Sequence, residues 1–217
     1  PIEDISAEIE ATEQQIRIQN AGLSAAGNSL SVFGEINNPL DEASRNINMT
    51  ANISADLGTV KEFYPIDEDT LTIRGNLNLE IVLRGKLDTL DIQQLLQNST
   101  VSLQNGYLAH QSVGEPLRDI TFEGRLNGRQ VQIEDASFKT GQNTLALDGT
   151  ISGYLSDDPV FDLNIDGEAY LEDVGKYYSL EPYINELGGK ATLNLSAKGP
   201  AGDPQNIDLN GRLSVEN

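Results

Sequence analysis

The side chains of this chain that could do chemistry are mostly carboxylates: 34 Asp and Glu against 14 Lys and Arg, with one histidine and no cysteine. One grouping has ligand spacing. Asp162-Leu-Asn164-Ile-Asp166-Gly167 copies the opening of a calcium-binding EF-hand loop, and Asp173 falls at its twelfth position. Phe161, Leu163 and Ile165 interleave with those oxygens, however, and a half-buried strand requires the same alternation. The equivalent stretch of an internal repeat, set out below, reads Asn48-Met-Thr50-Ala-Asn52, which keeps the alternation and loses the charges. A strand is the expectation here, not a calcium loop.

His110 opens the stretch His110-Gln-Ser-Val-Gly114, which reads as a turn between the repeats. With no cysteine beside it a usual zinc site has no partners, and a solvated loop histidine is expected. Asp67-Glu68-Asp69 and Asp157-Asp158 lie next to Thr or Pro, where charge runs form solvated faces. The sequons at Asn48, Asn52, Asn98 and Asn194 fall mostly inside strand-like runs, where they supply polar side chains to a solvent face. No Ser/His/Asp order or phosphate-cradling loop stands out. No catalytic residue, metal ligand or cofactor is assigned, and the chain is not read as an enzyme. A net charge of −20 argues against nucleic acid, whose phosphates need Lys and Arg. No 18-residue apolar run is present that could span a membrane as a helix.

The elements that carry these residues come twice. Residues 1–38 lie ungapped on 116–153 with eleven identities, among them Asp4/Asp119, Gln15/Gln130, Ile18/Ile133, Asn28/Asn143 and Gly34/Gly149. Residues 47–85 match 161–199 at an offset of 114, and 101–105 reappear as 213–217 at an offset of 112. Residues 1–115 are read as a first β repeat and 116–217 as a second, truncated one, together one continuous domain cut from a longer array.

Within each repeat the local pattern is strand. Ile16-Arg-Ile18, Leu30-Ser-Val32, Leu79-Glu-Ile81, Val131-Gln-Ile133, Leu145-Ala-Leu147, Leu163-Asn-Ile165 and Leu193-Asn-Leu195 alternate apolar with other residues. Turn residues such as Asn127-Gly128, Gly141 and Asn38-Pro39 separate the runs. Residues 57–64 and 171–178 instead space apolar side chains as a short helix does, and 90–96 adds a possible helical turn. About six strands and one short helix per repeat follow. The fold class is all-β with short helices, two tandem repeats forming one continuous, curved, antiparallel-rich sheet.

That sheet has an apolar face, and two readings of it stand. In one, the face is the sealed core of a sandwich, and the chain is a structural or adhesion-type scaffold that binds protein partners. In the other it stays open as a trough holding something greasy, lined by Ile16, Ile18, Leu30, Val32, Leu79, Ile81, Val131, Ile133, Leu145, Leu147, Leu163, Ile165, Leu193 and Leu195.

A family resemblance bears on the choice. Pro116-Leu-Arg-Asp-Ile-Thr-Phe, Val131-Gln-Ile-Glu-Asp-Ala-Ser-Phe and Asn143-Thr-Leu-Ala-Leu-Asp-Gly149-Thr-Ile, with their first-repeat twins, resemble the C-terminal repeat region of AsmA-like proteins of the TamB and YhdP type. The run Leu187-Gly-Gly-Lys-Ala-Thr-Leu-Asn-Leu-Ser-Ala-Lys-Gly199 has the same cadence of strand and glycine. The resemblance implies a periplasmic segment of a protein anchored in the bacterial inner membrane, whose β-taco trough conveys phospholipid towards the outer membrane. The implied partners are phospholipid acyl chains and the other repeats of the parent chain. Membrane contact would come only through parts of the parent outside this segment. The family brings no catalytic residues.

Overall fold

The computed structural model describes residues 2–62, 70–87, 95–111, 114–173 and 188–216. Twelve strands follow one another along the chain. They are β1 (Ile2–Ala11), β2 (Gln15–Ala25), β3 (Asn28–Asn37), β4 (Asn46–Asp56), β5 (Leu71–Lys86) and β6 (Ser99–His110) in the first half. The second half holds β7 (Leu117–Asn127), β8 (Gln130–Thr140), β9 (Asn143–Ser152), β10 (Val160–Tyr170), β11 (Lys190–Pro200) and β12 (Asp208–Glu216). Each strand pairs antiparallel with the next, giving one open sheet in the order β1 to β12, not closed into a barrel. Eleven spacings of ~4.8 Å make the sheet roughly 53 Å across. No second sheet lies over either face among the described residues.

The repeat is visible at the level of backbone irregularities. A register shift between Ile18 and Ala21 of β2 recurs between Ile133 and Ala136 of β8. The same extra residues of β2 and β8 show on their other side as shifts opposite Glu8/Ile9 of β1 and Glu123/Gly124 of β7. These bulges reverse the side-chain parity of a strand midway, so that Ile18 and Ala21, three residues apart, share a face. Gly34 and Gly149 both have φ +138°, a region that favours glycine. A Cβ at Gly34 would sit 2.2 Å from the Asn48 carbonyl oxygen, and one at Gly149 the same 2.2 Å from that of Asp162. Glycine is required at both for the neighbouring strand to approach.

A side-chain clamp also repeats. Asn28 Oδ1 accepts the Asp56 backbone N–H at 2.8 Å, and its Nδ2 donates to Thr59 Oγ1 at 2.7 Å. Asn143 Oδ1 accepts the Tyr170 N–H at 2.7 Å, and its Nδ2 donates to Asp173 Oδ2 at 3.4 Å. Each asparagine thus ties the start of one strand to the end of the next, where the helical insert begins. The first insert forms a 3₁₀ helix, Leu57–Glu62, and the second begins as a helical turn over 171–173. Phe63, Tyr64, residues 174–178, 90–94, 112–113 and Asp67-Glu68-Asp69 lie outside the described residues.

One expectation changes in detail and another holds. His110 is not in a turn: it is the last residue of β6, half-buried and opposite Leu71. The bulge at Asn105, with φ +53°, restarts the alternation there and lets the strand run on. The Asp162–Asp166 stretch is strand β10, and its polar side chains are already engaged across the sheet. Lys198 Nζ donates to Asp162 at 2.7 Å, Asn164 donates to Asp148 at 3.0 Å, and Asn194 donates to Asp166.

Candidate functional site

The register carries one row of directly opposed residues across all twelve strands. It runs Ile5, Leu23, Leu30, Ile53, Leu79, Val101, Gly124, Ile133, Gly149, Leu163, Ala197, Leu209. Every member is aliphatic or glycine. Directly opposed residues share a face, so this row is a continuous apolar stripe. The adjoining row on the other face runs Ser6, Gly22, Ser31, Asn52, Glu80, Thr100, Arg125, Gln132, Thr150, Asp162, Lys198, Asp208, polar but for one glycine.

The remaining expected lining residues flank the stripe on the same face. Ile16 lies opposite Ile36, Ile18 opposite Gly34, and Val32 opposite Ala51, which also meets Ile81. Val131 lies opposite Ile151, Leu145 opposite Phe138, and Leu147 between Ala136 and Ile165. Ile165 meets Leu195, and Leu193 lies between Gly167 and Leu213. All fourteen stand on one side of one sheet. Only Ile133, 5% exposed, is buried outright; the others keep part of their surface accessible, up to 36% at Leu30.

The face deepens in the second half into a hollow of about 270 Å³, lined chiefly by Phe138, Leu145, Gly167, Ala169, Ala191, Leu193 and Leu213. The repeat shows where the space comes from. Gly167 and Ala191 stand where the first half has Ile53 and Leu77, so two side chains shrink at neighbouring positions. Sequence reading named Leu145 and Leu193 and missed Phe138, Gly167, Ala169, Ala191 and Leu213. The signal lay in the aligned sizes of the repeats rather than in alternation.

The charged groups lie elsewhere. Hydrogen bonds from the Ser44 hydroxyl and the Ala43 N–H hold the Asp41 carboxyl below its usual value in the β3–β4 loop. Backbone hydrogen bonds, first its own N–H and then that of Gly189, do the same for Glu172. Lys190 and Lys198 are raised on the polar face by side-chain hydrogen bonds to Glu168 and Asp162. The apolar stripe offers shape and dispersion, with no charge in its twelve-strand row to fix a ligand's position.

No family model, curated protein or solved structure matches this chain.

Proposed function

We propose that this chain is a segment of an AsmA-like protein of the Gram-negative envelope that binds and conveys phospholipid along its apolar face. The observation that carries the reading is the unbroken apolar row from β1 to β12 on a face with no second sheet above it among the described residues. A soluble protein leaves so long an apolar strip uncovered when something is to occupy it. Acyl chains suit it: each buried methylene gains about 0.8 kcal/mol, and burial is nearly alike from strand to strand. Sliding needs such near-equal sites, which fixed polar anchors would disrupt. The same reading assigns the segment to the periplasm, supporting outer-membrane biogenesis, with the polar face turned to solvent.

Native mass spectrometry of the purified chain tests this. The expected spectrum contains protein bearing phospholipid, and the lipid-free protein takes up a fluorescent phospholipid from vesicles. Reproducibly lipid-free protein that takes up no probe at saturating vesicle concentration overturns the proposal.

A further inference from the structure

The hollow in the second half departs from its first-half counterpart in a consistent direction. On its floor, Gly167 and Ala191 stand where the first half has Ile53 and Leu77. At its wall, Phe138 stands where the first half has Leu23, and it lies opposite Leu145 as Leu23 lies opposite Leu30. Bulk leaves the floor and is added beside it, so both changes deepen the same place. The floor belongs to the interior of the sheet, because β10 and β11 are each paired on both sides. Its volume of about 270 Å³ compares with roughly 150 Å³ for an apolar cavity that accepts benzene. A compact piece of hydrocarbon fits there.

The hollow lies beside the apolar stripe, not on it. Along β10 the stripe passes through Leu163, and Ile165 continues the same face to Gly167, roughly 13 Å away. A straight acyl chain that follows the stripe therefore passes the hollow by. Laid directly over the hollow, a straight chain spans it and leaves the floor untouched, forfeiting the dispersion contacts available there. A chain with a fixed bend can leave the stripe near Ile165 and set its far end against Phe138, Gly167 and Ala191. A saturated chain makes the same turn only by holding gauche torsions, which costs freedom that a cis double bond has already given up.

We infer that the hollow receives the bent part of a cis-unsaturated acyl chain, so that this face selects its lipid by tail shape. The inference rests on the phospholipid reading above and adds to it a class of tail and a resting place. A preference of a few-fold is shallow enough to leave movement along the stripe intact.

Oleate and elaidate, the cis and trans isomers of one fatty acid, test it, since they share every carbon and the charge and differ in bend. In isothermal titration below their micellar concentrations, oleate should bind about fourfold tighter than elaidate, the worth of one extra buried methylene. Ala191→Leu supplies the residue that Leu77 provides in the first half. It should bring oleate down to the affinity of elaidate and leave elaidate unchanged. Gly167→Ile, with its fold likewise verified by circular dichroism, should do the same by a separate route. Equal affinities in the unmodified chain, a preference that survives in either folded variant, or binding of neither isomer each overturn the inference. Phospholipid uptake from vesicles alongside equal isomer affinities removes this inference alone, whereas loss of that uptake removes the reading beneath it.

Discussion

In β4, Asn48, Thr50 and Asn52 stand where β10 has Asp162, Asn164 and Asp166, and Arg84 of β5 stands where β11 has Lys198. The same cross-strand contact joins both sets: Arg84 Nε donates to Asn48 Oδ1 at 2.9 Å, and Lys198 Nζ to Asp162 Oδ2 at 2.7 Å. One half of the sheet makes a neutral-acceptor pair where the other makes an ion pair. On the opposite face the halves scarcely differ in character. Ile18/Ile133, Leu30/Leu145, Val32/Leu147 and Leu79/Leu193 stay aliphatic, and Gly34/Gly149 keep the same φ. The difference locates the constraint. Exposed polar pairs contribute little and can be exchanged freely. The apolar face and its glycines decide whether the sheet forms and what it can hold.

The largest effect should come from the shared glycines. Gly34→Ala and Gly149→Ala each force a side chain into a φ that resists it and against a carbonyl 2.2 Å away. Each should cost about 3 kcal/mol or more in chemical denaturation. Because the geometry is the same, the two losses should agree closely. A tolerated alanine at either site would break the equivalence of the halves.

Next come charges on the apolar face. Leu147 lies mid-sheet between Ala136 and Ile165, and Val32 is its first-half counterpart. On a face that water reaches when empty, Leu147→Asp or Val32→Asp should cost only about 1–2 kcal/mol while abolishing phospholipid uptake, since desolvating the carboxylate penalises the occupied state. In a sealed core the same change would unfold the chain. Thermal melts followed beside an uptake assay separate the outcomes, and collapse of both variants would count against an open face.

The two halves also differ in depth, which permits a smaller and sharper test. Gly167→Ile refills the hollow with the residue that Ile53 supplies in the first half. A Cβ there meets Leu145 Cδ1 and the Thr144 carbonyl oxygen at 3.3 Å, so both must give by a few tenths of an ångström. Lipid affinity should fall about fourfold, the worth of one displaced methylene, with the fold kept. Ile53→Ala should open a matching hollow and raise it. An unchanged affinity in both would mean that lipid does not use this depth.

Much of this architecture was legible in the chain because alternation and self-similarity are both local signals. Phe161-Asp-Leu163-Asn-Ile165-Asp declares strand and face at once, and its repeat partner removes the calcium reading. Features that depend on register were harder. The bulge at Asn105 hides the continuation of β6 to His110, since it breaks the period on which the reading rests. The hollow at Gly167 depends on side chains from β8 to β12 meeting across the sheet, which no single run reveals. The twelve-strand row needed every bulge placed before Ile5 and Leu209 could be seen as its two ends.

The smallest predicted effect lies on the polar face, where the halves diverge most. Lys190 and Lys198 are both raised above the ordinary lysine value of 10.5, first through their side-chain hydrogen bonds to Glu168 and Asp162. A lysine raised on folding stabilises fully below 10.5, and that contribution is lost as the pH climbs through its folded-state value. Arg84 stands where the second half has Lys198, so the first half has no lysine ion pair at that place to lose. Alkaline destabilisation should therefore begin in the second half. Hydrogen exchange read strand by strand, with the pH stepped upward past 10.5, should show β10 and β11 losing protection before β4 and β5. Lys190→Met with Lys198→Met should remove the difference while barely moving the melting temperature at neutral pH, since both pairs are exposed. If β4 and β5 open first in the unmodified chain, the ion pairs are not what distinguishes the two halves.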